Sequence, residues 1–393
     1  MKIVVSLRRL RRFGAALAVV VLAAGCANIP IDSSWGDISL IGDEASPNIM
    51  LAFTDRIIQV DPADGSLVEL RDSNGDVRVD DEGNPRPWQV QVSGGQSPIH
   101  FYSRPVMTDD ATLVAAAYET KLYEIDLAAA RVENPDGMAL PGHVVGNPLL
   151  TENFLYLPIS NGGLVAYDRE TLTEIWRFTG DDGKGIWAQP LLIESTLYVS
   201  AMDHFLYALN AETGAEIWSI DLHGAVASTP VYANDALYVG SFDRKLYKIN
   251  LDGSIAAEFT TNDWVWGAPA VIDNTVYAAD LGGYLYALND LGTSFEEVWS
   301  RKVAGRGIRM TPLVTDETII VGSRDHFVYW INRDTNEEIF KREMRGEVLS
   351  DILLIEPNET VREPMIIVST IAHQELLVAF TLDQGERRWA YGL

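Results

Sequence analysis

The sequence predicts an all-β protein, one eight-bladed β-propeller of four-stranded antiparallel blades. Three observations carry that expectation. One short phrase recurs along the chain, clearest as Leu206-Tyr207-Ala208-Leu209-Asn210, Leu246-Tyr247-Lys248-Ile249-Asn250, Leu285-Tyr286-Ala287-Leu288-Asn289 and Val328-Tyr329-Trp330-Ile331-Asn332. Around each copy, apolar residues alternate with period two between turn signals, which argues antiparallel strands. No stretch after the N-terminal segment holds the 3.6-residue period that crossover helices require. A unit this small cannot bury its apolar face alone, so neighbours must stack and the repetition becomes the fold.

The closing polar residue counts the units. Asp126, Asp168, Asn210, Asn250, Asn289 and Asn332 follow one another at intervals of 42, 42, 40, 39 and 43 residues, and weaker copies end at Asp61 and Thr381, giving eight. Residues 187–220 show the order within a unit. A Pro-led apolar run, Pro190-Leu191-Leu192-Ile193, precedes the alternating Leu197-Tyr198-Val199-Ser200; the repeated phrase, a Thr213-Gly214 turn and Glu216-Ile217-Trp218 follow. These are four short strands, and radial arrangement of such blades protects their edges. Trp176, Trp218, Trp299 and Trp389 stand at one phase of the repeat, with Phe259 and Phe340 in that place in units lacking Trp. Large rings on the outermost strand are expected to cover the seam to the next blade.

Residues 71–87 interrupt the first unit, and a smaller insertion lies near 356–364. The run Asp72-Ser73-Asn74-Gly75-Asp76 starts like a calcium loop, but Val77 stands where an EF-hand needs Gly and Gly83 where it needs the bidentate Glu. Asn74-Gly75 makes a solvated hairpin the expectation. Gly180-Asp181-Asp182-Gly183-Lys184-Gly185 lacks the spacing and the Ser or Thr of a phosphate loop, and its aspartates would repel a phosphate.

Residues 1–25 read as an export signal, with Lys2, Arg8, Arg9, Arg11 and Arg12 ahead of an apolar stretch, Phe13 to Ala24, too short to span a bilayer. The segment ends in Leu22-Ala23-Ala24-Gly25-Cys26, which resembles a lipobox, and Cys26 is the only cysteine in 393 residues. A lone cysteine excludes an intrachain disulfide framework. Lipid attachment at Cys26 is the expectation, with 26–34 as tether, 35–393 as propeller and the membrane reached through the lipid anchor. Ala27 and Asn28 follow the cysteine, with no aspartate directly after it, which resembles lipoproteins sent to an outer membrane.

Without the signal the chain carries 25 Lys+Arg against 56 Asp+Glu, a formal net charge of −31. Such a surface excludes nucleic acid, which needs a basic face, and disfavours direct docking on anionic headgroups. An envelope protein presenting a basic patch is the expected partner, with the propeller a monomer within a complex.

The pattern Leu-Tyr-Ala-Leu-Asn-x-x-Thr-Gly-x-x-x-Trp resembles the PQQ-type propeller repeat over residues 35–393. That family contains quinoprotein dehydrogenases and propellers that bind no quinone, among them the lipoproteins of the outer-membrane β-barrel assembly complex, which this chain resembles in plan. The quinoprotein resemblance implies a quinone stacked on Trp, commonly against a vicinal cysteine pair, with calcium beside it; one cysteine cannot supply that pair. His100, His143, His204, His223, His326 and His373 lack metal-ligand spacing, and no nucleophile elbow or paired-carboxylate signature occurs. No catalytic residue, metal or cofactor is expected.

Recognition then falls to the crossovers entering each unit and to the turns between second and third strands, which propeller architecture places on one face. Trp187, Trp264, Trp266, Arg306 and Arg309 occupy crossovers where other units have Asn147 or Ala227, and Trp and Arg are enriched at interface hot spots. His204, Arg244 and His326 occupy the adjacent turns, where tight-turn chemistry is the favoured account of them. Two readings of the crossover residues stand side by side: a recognition face, or rings filling the top of the channel with arginines paired to nearby acids. The expected function is a non-enzymatic protein-binding scaffold, with a quinoprotein-like enzyme and a solute- or polysaccharide-binding sensor as the alternatives.

Overall fold

The computed structural model describes residues 35–42, 45–92, 99–109, 111–180 and 183–393. The signal, Cys26 and the tether lie outside the described residues. From residue 35 onward the described residues form one compact unit of eight sheets. Each sheet takes its strands in sequence order, as in Leu191–Ile193, Thr196–Ser200, Phe205–Asn210 and Glu216–Asp221 of blade 4. Among the described residues the only helix is a single 3-10 turn, His373–Glu375. Blade 2 departs from the pattern: its outer strand is split into Arg131–Val132 and Met138–Ala139, both paired to the third strand.

The repeated phrase forms the third strand, and its letters have separate jobs. The closing Asn or Asp accepts from the turn that follows: Asn210 Oδ1 takes the Thr213 amide at 2.9 Å and the Thr213 hydroxyl at 2.8 Å, and Asp168 does the same with Thr171. This is an Asx turn, which sets the register of the outer strand. The tyrosine reaches back to the preceding turn, where Asp203 accepts from Tyr207, Asp280 from Tyr286 and Asp325 from Tyr329, each at 2.7 Å. Burial and these carboxylates together push the Tyr286 and Tyr329 hydroxyls far above their usual range.

The seams follow from the outer-strand rings. Trp176 donates to the Ala211 carbonyl at 3.0 Å, Trp218 to Leu251 at 2.9 Å and Trp389 to Pro62 at 2.8 Å, each a carbonyl of the next blade. Gly214, Gly253 and Gly65 lie flat beneath those indoles at positive φ, where a Cβ would come within 3 Å of the ring. Trp88, directly after the insertion, donates to the Leu127 carbonyl of blade 2 at 2.6 Å.

Blade 5 corrects one expectation. Its turn after Asn250 is a residue shorter, so the position opposite Lys248 is Ala257, and Phe259 packs elsewhere, against Tyr286. The small Ala257 leaves room for Lys248, whose ammonium meets Asp290 of blade 6 at 2.7 Å, with Tyr238 donating to the same carboxylate. An ion pair buried to within a tenth of its surface replaces the indole there.

Among the described residues no strand is exchanged between the first and last blades. Blade 8 closes on blade 1 through Trp389 and a shared apolar core containing Ile49, Leu51, Ile367 and Leu377. The hydroxyl of Ser350 donates to the Gly36 carbonyl at 3.1 Å, and the small insertion reaches across so that the Glu359 amide meets the Ala45 carbonyl.

The 71–87 insertion is a three-legged coil and not a simple hairpin. The amides of Arg78, Arg86 and Leu70 donate in a cycle to the carbonyls of Leu70, Arg78 and Arg86. Two Asx loops join the legs: Asp72 accepts from the amides of Asn74 and Asp76, and Asp80 from those of Glu82 and Asn84. The alternating oxygens that resemble a calcium loop are turned onto their own backbone.

Candidate recognition face and channel mouth

Each crossover delivers two side chains to the channel, three residues and one residue before the apolar run of its inner strand. The outer of these positions holds Trp35, Tyr102, Val145 and Trp187 in blades 1 to 4, then Ala227, Trp266, Arg309 and Leu349 in blades 5 to 8. The inner one holds Asp37, Arg104, Asn147 and Gln189, then Thr229, Ala268, Thr311 and Asp351. A layer of rings therefore sits above a polar layer around a cavity of about 380 Å³.

The ring layer is continuous over much of the mouth. Ala227 is small, so Trp187 and Trp266 on either side approach to 6.2 Å between centroids. The Arg309 guanidinium lies 3.8 Å from the Trp266 ring and 5.0 Å from that of Trp35, which in turn meets Tyr102 at 4.6 Å. Stacking of a guanidinium on indole is favourable, more so where water is excluded, and Arg309 is only 8% exposed.

In the polar layer, Asn147 donates its amide N–H to Asp37 and accepts from the Arg104 backbone at 2.9 Å. Arg104 donates to Gln189 at 3.0 Å. Asp351 accepts from the Thr311 amide at 2.7 Å and from its hydroxyl at 3.2 Å. Enclosure by the channel walls raises the Asp37 carboxyl, against the pull of Arg104 and Asn147. The same enclosure, aided by the neighbouring Asp37 charge, pushes Asp351 up to about 6 although its side chain is exposed to the channel.

The predicted face residues divide by position. Trp187, Trp266 and Arg309 come together at the mouth. Trp264 stands beside it, 43% exposed, stacked on Phe242 at 5.0 Å with an 8° interplanar angle. Arg306 is paired with Glu347 at 2.8 Å, and Glu347 also holds Arg324 at 2.9 Å. His204, Arg244 and His326 occupy the turns at φ of 84°, 69° and 72°, beside Gly283 at 83° in the equivalent turn. Their shared feature is left-handed backbone, as tight-turn chemistry requires.

Trp35, Asp37, Tyr102, Arg104, Ser228 and Asp351 were missed in the sequence. Counting back from each inner strand by one and by three residues would have found all but Ser228, which lies between the two positions. Among the described residues no group of three or more His, Cys, Asp or Glu is arranged to hold a metal ion.

Residues 160–294 and 293–392, more than half of the chain, match the family model of the outer membrane protein assembly factor BamB. The chain belongs to the BamB family. Among solved structures it is similar to BamB from Moraxella catarrhalis, 15% identical with a TM-score of 0.65 over 88% of this chain and 94% of that one. It is also similar to the computationally designed Ika8 protein, 15% identical with a TM-score of 0.52 over 77% of this chain and 98% of the designed one. At these identities both likenesses speak for the fold. No curated protein matches the chain.

Proposed function

We propose that this BamB-family propeller is a lipid-anchored, non-enzymatic scaffold of the cell envelope that binds a protein partner through its crossover face and serves outer-membrane protein assembly. Its place is the periplasmic face of an outer membrane, where Cys26 tethers it, or the outer face of the cytoplasmic membrane in a cell with one membrane. The observation that carries the reading is the face itself in a chain of this family: indoles of Trp187, Trp264 and Trp266, with the Arg306 and Arg309 guanidiniums, delivered by three crossovers to one rim. Clustered Trp and Arg at the centre of a surface are the composition of a binding hot spot.

A photo-activatable residue at position 264 tests this in cells. It captures a component of the β-barrel assembly machinery, while the same group at position 217, exposed on an outer strand, captures none. Equal capture from both positions, or none from 264, refutes the face.

A further inference from the structure

We propose that the channel mouth binds one uncharged pyranose unit on the arc formed by blades 3 to 5, a role separate from partner recognition at the rim. The charges of the cavity argue first. Asp37 and Asp351 are matched by Arg104 and Arg309, and each carboxylate already accepts hydrogen bonds, the first from Asn147 and the second from Thr311. A ligand with a net charge would enter this space without a counter-charge, and desolvating such a charge is costly. A neutral ligand meets no such cost.

The polar layer keeps unused hydrogen-bonding capacity where it is uncharged. Asn147 gives one amide hydrogen to Asp37, and Gln189 gives one to the Pro148 carbonyl at 2.8 Å, so each carboxamide retains a second. The Thr229 hydroxyl, half-buried on the cavity wall, has no hydrogen-bond partner among the described residues. These three groups stand in consecutive blades. Both carboxamides are held in place by Arg104, whose backbone amide donates to Asn147 at 2.9 Å and whose guanidinium donates to Gln189 at 3.0 Å. A fixed arc of neutral donors calls for a ligand rich in acceptor oxygens.

The ring layer above the same arc supplies an apolar wall. Trp187 stands two residues before Gln189 on the same crossover, flanked at the outer position by the smaller Val145 and Ala227, with Trp266 beyond at 6.2 Å between centroids. The space left by those smaller neighbours admits a flat apolar face beside the indole. A pyranose ring has such a face, made of C–H groups, and a rim of oxygens that accept hydrogen bonds. A peptide crossing the mouth would instead bring its own amide hydrogens against these donors. The cavity of about 380 Å³ is of the size that small-molecule sites have, apolar walls with a few placed polar groups. A free sugar and one unit of a glycan chain share this chemistry.

The test titrates the purified protein with N-acetylglucosamine and its β-1,4-linked trimer, followed by tryptophan fluorescence and calorimetry. N-acetylglucosamine binds, while glucosamine, which has the same ring but carries an ammonium, and sorbitol, which has the hydroxyls without the ring, bind at least tenfold more weakly. Thr229→Val removes the hydroxyl with little change of shape and weakens binding about fivefold, the effect of one lost hydrogen bond, with an unchanged melting temperature. Trp187→Phe, which keeps an aromatic ring, retains binding that Trp187→Ala loses. A trimer that binds more tightly than the monomer assigns the site to a glycan chain, and equal affinities assign it to a free sugar. Absence of binding by both sugars, equal binding of sorbitol, or an unchanged affinity in Thr229→Val overturns the proposal. Partner capture from position 264 is measured separately and stands or falls without it.

Discussion

At the scale of single residues, position in the repeat decides what a side chain does. His204, Arg244, Gly283 and His326 hold one left-handed turn position, and the Gly283 site is closed as well as left-handed: a Cβ would lie 2.3 Å from the Ala304 carbonyl oxygen. Gly283→Ala therefore costs about 2 kcal/mol or more, whereas His326→Gly gains up to about 1 kcal/mol as left-handed strain is relieved against added unfolded-state entropy. Thermal or urea unfolding of the two variants checks both signs. Asp351 shows how position alters chemistry. With its carboxyl raised to about 6, the folded protein binds more protons than the unfolded chain between about pH 4 and 6, so this group lowers stability as pH rises through that window and holds it down above. Asp351→Asn should melt higher than the parent at pH 7.5, with the difference vanishing near pH 4; a difference that grows on acidification would contradict this.

At the scale of the blade, the recurring problem is how to cover a seam, and two chemistries answer it. Three seams use an indole over a glycine, with the ring N–H satisfied by a carbonyl of the next blade. Trp218, half-buried, should lose about 3 kcal/mol on truncation to Ala, while Arg71→Ala in the exposed insertion should change stability by less than about 0.5 kcal/mol. The blade 5 seam is ionic. Burial alone would raise the Asp290 carboxyl, but the bonds from Lys248 and Tyr238 outweigh it and hold the group below the usual range. Its contribution is therefore complete above the ordinary carboxylate range and is lost as pH falls beneath it. Lys248→Ala leaves that carboxylate buried without its cation and should cost about 3 to 5 kcal/mol, whereas replacing both partners by apolar residues of similar volume should cost much less. Urea unfolding of the single and double variants separates the cost of an orphaned charge from the value of the pair.

At the scale of the whole molecule, eight crossovers converge so that residues from Trp35 to Asp351 share one cavity. Trp266→Ala distinguishes recognition from channel filling: a hot spot weakens partner capture by about 2 kcal/mol with little change in melting, and a filler lowers stability by its cavity cost with capture intact. On our reading the first outcome is expected. Cys26→Ser should leave the protein unprocessed or released from membranes, checked by metabolic labelling with a tagged fatty acid; a parental protein that takes up no label would refute the anchor.

The sequence by itself determined the blade count, the strand order within each blade, the turns that follow the repeated phrase and most of the seam tryptophans. Each of these is local, set by side chains a few residues apart and repeated until the pattern is unmistakable. Phe259 was misphased because the turn after Asn250 is one residue shorter, and only pairing with Lys248 reveals that Ala257 holds the position. The pairing of Asp37 with Asn147, the reach of Arg104 to Gln189 and the stacking of Arg309 between Trp35 and Trp266 were decided by tertiary structure. Those contacts join different blades across a closed ring, and no spacing along the chain encodes which blade faces which until the ring has closed.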